Sequence, residues 1–157
     1  MMRLGLVAVA AALGLAAPTV AAPGRLTAGE RRWVAAVDAF ATDLRSNVEL
    51  AANGGGDLAS ARRALHDDSD LYATLVAYTY FGGCTATLRN VGAPSPRLAP
   101  AARALGRACR GFEHASALYA RAVRRADPQA LVAASSASLE AYAEVAATRV
   151  GLDGLRR

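Results

Sequence analysis

The chain has 157 residues, 54% hydrophobic and 20% charged, which is enough apolar material for one domain with its own core and excludes a disordered or multidomain chain. Alanine carries most of that share and only 6% of residues are aromatic, so helix formers dominate, strand formers are thin, and an all-α fold is expected. The net charge of +5, all of its 18 basic residues arginine, suits nucleic acid, anionic lipid or acidic wall polymers without choosing among them. The chain lacks both lysine and isoleucine, a bias that reads first as a GC-rich coding sequence and lowers the weight of any argument from arginine.

Met1, Met2 and Arg3 form a short positive start, Leu4 to Leu15 is an uncharged apolar run, and Ala16 to Ala22 is rich in small residues. These are the three parts of a secretory signal peptide. Cleavage is expected after Ala21, with Thr19 at minus three; a cut after Ala22 would leave Pro23 beside the scissile bond. The apolar run is shorter than the roughly 20 residues that span a bilayer, so no stable membrane span is expected after cleavage. With no cysteine near the site, a lipoprotein is excluded. The expected organisation is a signal peptide over 1–21 and a single helical-bundle domain over 22–157.

Thr27-Ala28-Gly29-Glu30 has the form of a capping box and predicts a helix start. Trp33, Val37, Phe40, Leu44, Val48 and Ala51 then recur at steps of three and four, one apolar stripe that ends at Asn53-Gly54-Gly55-Gly56. Asp57 and the run Asp67-Asp68-Ser69-Asp70 offer two sets of caps, the pattern of a short helix followed by a longer one as an alternative to one continuous helix. Beyond Asp70 the apolar series Leu71, Leu75, Tyr78 gives way to Ala77, Phe81, Cys84, Leu88, Val91 on a rotated face, with Gly82-Gly83 between. Either the diglycine bends the helix or both faces are buried. Gly92, Pro94, Pro96 and Pro100 make the next stretch a turn.

The third main helix has the clearest seam: Leu98, Ala102, Leu105, Cys109, Phe112, Ser116, Tyr119, Val123. Asp127-Pro128 starts a fourth, whose apolar face is read as Leu131, Ser135, Ser138, Leu139, Tyr142, Val145 and Ala146, stopped by Gly151 and Gly154. Four amphipathic segments joined by short turns predict an antiparallel bundle of about four main helices.

Cys84 and Cys109 flank the proline-rich turn, and in an exported chain with an even cysteine count they are expected to form a disulfide. Closing that loop would stabilise the fold by about 3.5 kcal/mol in the chain-entropy model. His66 and His114 lack the companions of a di-iron, haem or zinc site, so no metal or cofactor is expected. Asp67, Asp68 and Asp70 lack the glycine and closing glutamate of a calcium loop and read as caps. Ser135, Ser136 and Ser138 have no base nearby in sequence, and Glu140 and Glu144 are expected on the outward face of the last helix, so no catalytic residue is assigned.

Two surfaces remain. Arg103, Arg107, Arg110, His114, Arg121 and Arg125 fall on one outer face of the third main helix, a candidate anionic-ligand surface. No aromatics interleave with it, which argues against nucleic acid. Tyr78, Phe81 and Phe112 are a candidate wall for an apolar ligand. The expected function is an exported, non-enzymatic binding or interaction module of a bacterial envelope or its surroundings, its partner an anionic envelope component or another protein. The alternatives are a carrier of a small apolar molecule in the bundle interior and, with least support, an enzymatic or cofactor-binding bundle.

Overall fold

In the computed structural model residues 25–52 and 55–156 are described; the expected signal peptide lies outside them. Thr27 and Glu30 make the reciprocal bonds of a capping box: the Thr27 amide donates to Glu30 Oε2 at 2.8 Å and the Glu30 amide to Thr27 Oγ1 at 3.2 Å. Helix α1 (Ala28–Ala52) follows, with Trp33, Val37, Phe40, Leu44, Val48 and Ala51 all buried, as their spacing predicts. The second region is broken where its acidic caps foretell. Asp57 caps α2 (Leu58–Ala64) and Asp67 caps α3 (Asp68–Gly82), each carboxylate accepting two backbone amides.

Gly83 separates α3 from α4 (Cys84–Asn90) and has no side chain with which to cap it. A carboxylate from another helix takes that role, as Glu113 Oε1 accepts from the Thr85 amide at 3.1 Å. Of the two alternatives raised by the shift of apolar face, the diglycine does interrupt the helix, while burial of both faces is not met. One stripe, Thr74, Ala77, Phe81, Cys84, is buried and runs across the break, while Leu75 is 41% exposed and Leu71 and Tyr78 are half-buried.

Helix α5 (Ala99–Arg125) buries Leu105, Cys109, Phe112, Ser116 and Tyr119 of its predicted seam, and beside them a second row of alanines, Ala101, Ala104, Ala108, Ala115 and Ala122. Its last turn closes through Ala126, whose φ of 47° is left-handed. Asp127 then caps α6 (Pro128–Gly154), which runs through Gly151 and ends at Gly154. The predicted face of α6 needs correction, because Leu139 is 49% exposed and Tyr142 and Ala146 are only half-buried. The buried row is Leu131, Ala134, Ser135, Ser138, Ala141, Val145, Thr148 and Leu152.

Four rods result: α1, α3 continued by α4, α5, and α6. Each packs on its chain neighbours, and α6 returns to α1. Residue numbers run in opposite senses across the contacts. Ser116 Oγ donates to the Tyr78 carbonyl at 2.9 Å while Cys109 meets Cys84, and Tyr119 faces Ser138 while Arg107 meets Glu144. This is an up-and-down bundle. Its ends are tied by polar bonds: Trp33 Nε1 donates to the Gly92 carbonyl at 3.1 Å, Ser95 Oγ to Glu30 Oε1 at 2.8 Å, and Arg149 and Arg156 both pair with Asp38.

Candidate functional site

Helix α5 crosses the bundle between the α3–α4 rod and α6, and the close approach on the α6 side is set by small residues. A Cβ added at Gly111 would stand 3.0 Å from the Ala141 Cβ, so the two helices touch nearly backbone to backbone there. On the other side Cys84 and Cys109 are joined, with Cα atoms 5.2 Å apart and both side chains fully buried. The expected disulfide is therefore present. Rigid contact on both flanks leaves only the outward side of α5 exposed.

Arg103, Arg107, Arg110, His114, Arg121 and Arg125 all lie exposed on that side, as their spacing predicts. The structure divides them into two sets. Arg107 donates through two nitrogens to Glu144 Oε1, each at 2.8 Å. Arg121 likewise reaches Asp127 Oδ2 at 3.0 Å. Arg103, Arg110, Arg125 and His114 have no ion-pair partner among the described residues. Asp127 accepts the Gln129 and Ala130 amides on its other oxygen, and these backbone bonds, with Arg121, hold its carboxyl below its ordinary pKa.

Beside the arginine ridge lies a shallow groove of about 250 Å³ between α5 and α6. Its floor is Ala108, Gly111, Ala137 and Ala141, and its rims are Arg107 and His114 on α5 and Glu140 and Glu144 on α6. The two glutamates thus border a cleft shared with the basic ridge, where a plain outward face was expected. Sequence spacing places each pair on its own helix but says nothing about which side of α6 turns toward α5. The Gly111–Ala141 contact decides that, and small residues opposite one another in two adjoining helices are the only sequence sign of it.

The aromatic wall is arranged differently from the basic face. Phe81 and Phe112 are fully buried with ring centroids 4.8 Å apart, and Tyr119 lies 6.1 Å from Phe81, so the rings cover one another. Tyr78 is half-buried at the edge. The Tyr119 hydroxyl is 3.4 Å from Ser138 Oγ, which donates to the Ser135 carbonyl, so these serines serve a buried helix contact, while Ser136 is exposed. Burial pushes the Tyr119 phenol above its ordinary pKa, against the opposing effect of its serine neighbours. His66 sits exposed after α2, on a different element from His114.

One surface was missed from sequence altogether. The outward band of α6, Val132, Ser136, Leu139, Ala143, Ala147 and Val150, carries no charge, and Val150 is 73% exposed. The spacing of those residues at three and four is visible in the chain, but it competes with an inward row that is likewise uncharged.

No family model, curated protein or solved structure matches the chain.

Proposed function

We propose that the protein is an exported helical bundle that acts by binding an anionic component of the cell envelope through the outer face of α5, without catalysing a reaction. The observation that carries this reading is the set Arg103, Arg110, His114 and Arg125, exposed along one ridge and not neutralised by the protein's own carboxylates. Guanidinium groups on a helix braced from both sides keep a fixed backbone spacing and can meet phosphate or carboxylate oxygens through paired N–H donors. One further fact supports export: the buried disulfide suits an oxidising compartment.

The test is co-sedimentation of the purified, disulfide-bonded protein with isolated envelope fragments across a salt series. Binding is expected at low salt and release as salt rises, because exposed charges are screened over about 8 Å at physiological ionic strength. Replacing Arg103, Arg110 and Arg125 together with Gln is expected to weaken the salt-sensitive component strongly while leaving the thermal midpoint unchanged. Salt-insensitive binding, or a triple variant that sediments as the parent does, overturns the reading.

A further inference from the structure

We propose that this face takes a polyol phosphate chain, a linear polymer in which phosphodiesters alternate with hydroxyl-bearing carbons. Its phosphates lie along α5 and its hydroxyls turn into the α5–α6 groove. The inference rests on the anion-binding reading above and sharpens it in three respects.

The first is shape. Arg103 to Arg125 spans 22 residues of one helix face, about 33 Å at 1.5 Å per residue. The track is narrow, its residues lying within about 60° of one another around the helix, with the exposed Arg124 beside its far end. On one flank stand Glu140 and Glu144 of α6, and on the other Glu113, whose carboxylate is engaged with the Thr85 amide. A plane of lipid headgroups would spread its charge over those carboxylates; a single strand keeps to the track.

The second is charge. Along the track, Arg103, Arg107, Arg110 and His114 follow at steps of about 4.5 to 6 Å, an interval suited to phosphates separated by a short polyol. Arg107 gives two nitrogens to Glu144 and has donors left for an anion.

The third is the groove. Glu140 is exposed and has no ion-pair partner among the described residues, and it faces the same 250 Å³ space as His114. A carboxylate accepts hydrogen bonds from hydroxyls and repels phosphate, so an uninterrupted phosphate chain meets a penalty there that a polyol phosphate avoids. The floor of alanine and Gly111 lets a slender chain lie close to the helices, and the absence of aromatic side chains from the ridge removes the stacking platform that a nucleic acid strand would use.

The test is calorimetric titration of the purified, disulfide-bonded protein with three probes at equal phosphate: poly(glycerol phosphate), inorganic polyphosphate, and vesicles containing phosphatidylglycerol. Poly(glycerol phosphate) is expected to bind about tenfold more tightly than polyphosphate, the scale of one hydrogen bond to a charged group. Glu140→Gln, at an exposed position, is expected to strengthen polyphosphate binding and shrink that ratio. Arg103→Gln with Arg110→Gln is expected to lower the salt slope by about 1.4, at about 0.7 per phosphate contact on a single strand. Polyphosphate binding as tightly as the polyol polymer, vesicles outcompeting both, or an unchanged ratio in Glu140→Gln overturns this inference while salt-sensitive anion binding still stands. No salt-sensitive binding to any of the three probes overturns this inference, and the absence of salt-sensitive sedimentation with envelope fragments as well overturns both readings.

Discussion

Helices α5 and α6 have the same length, 27 residues each, and lie side by side, yet their outward faces are built on opposite plans. The back of α5 is arginine and histidine set against a mostly apolar seam that also buries Ser116, whereas the back of α6 is valine, leucine, alanine and serine set against a front of apolar residues with Ser135, Ser138 and Thr148. Both helices bury a face of similar make-up, so core packing does not account for the difference. It shows that in this chain periodicity reveals a buried face only where something polar opposes it. In α6 the buried side is selected by its partners: Tyr119 reaches Ser138, Gly111 meets Ala141, and Arg107 and Arg149 pin Glu144 and the α1 residue Asp38.

The comparison can be broken most directly by truncating one large residue on each helix. Phe112→Ala, at a fully buried position stacked on Phe81, is expected to cost about 3–5 kcal/mol. Leu139→Ala, on the back of α6, should stay within about 0.5 kcal/mol. Denaturant unfolding of both variants checks this, and a costly Leu139 would restore the face first read from sequence. Next in size is the link that holds α5 from its other side. Replacing Cys84 and Cys109 with Ala is expected to lower stability by about 3.5 kcal/mol, the effect of releasing a 25-residue loop in the chain-entropy model.

The α5–α6 contact itself is tested by Gly111→Val, whose branched side chain enters the space of the Ala141 Cβ; overpacking of this kind costs about 1–3 kcal/mol. The same substitution should narrow the groove and weaken poly(glycerol phosphate) binding, measured by calorimetry. A smaller effect, of opposite sign, is expected at the hinge between the two helices. Ala126 holds a left-handed φ of 47° that glycine adopts without steric cost, so Ala126→Gly should raise stability by up to about 1 kcal/mol.

The acid response has its sign fixed by the caps. Backbone bonds from Thr27 and the Ser95 hydroxyl lower the Glu30 pKa, and the Ala130 amide bond leads the lowering at Asp127. Folding therefore favours the ionised forms. Their stabilisation is complete above the unfolded carboxyl range, about 3.9 to 4.3, and is lost as pH falls through the lower folded values. The thermal midpoint should be flat from neutral pH down to about 5 and fall below about 4. Glu30→Gln and Asp127→Asn should each make that fall shallower.

Much of the fold was legible because its signals are local. The capping box at Thr27, the aspartates at 57, 67 and 127, and the stripe from Trp33 to Ala51 depend on residues within a few positions of one another. The disulfide could be read from two cysteines flanking one turn. The direction of α3 was not legible, since Leu71, Leu75 and Tyr78 look as suited to a core as Ala77 and Phe81. Only the distant contacts of Phe81 with Phe112 and of Cys84 with Cys109 choose between the two faces. For the same reason the ridge was visible in the sequence while its groove was not. A ridge lies on one helix, whereas the groove depends on how two helices are rotated against each other.

The Cys84–Cys109 bond also makes the turn between α4 and α5 the neck of a covalent ring. Residues 84 to 109 enclose the whole segment that contains Gly92 and Ala93, both exposed. A protease that cuts once within that turn would divide the polypeptide without dividing the molecule. The two fragments would remain one particle, heavier by a water, and would separate only when denatured and reduced. In a compartment where proteases are met more often than reductants, the bundle could lose its backbone continuity at this point and keep the face that α5 presents.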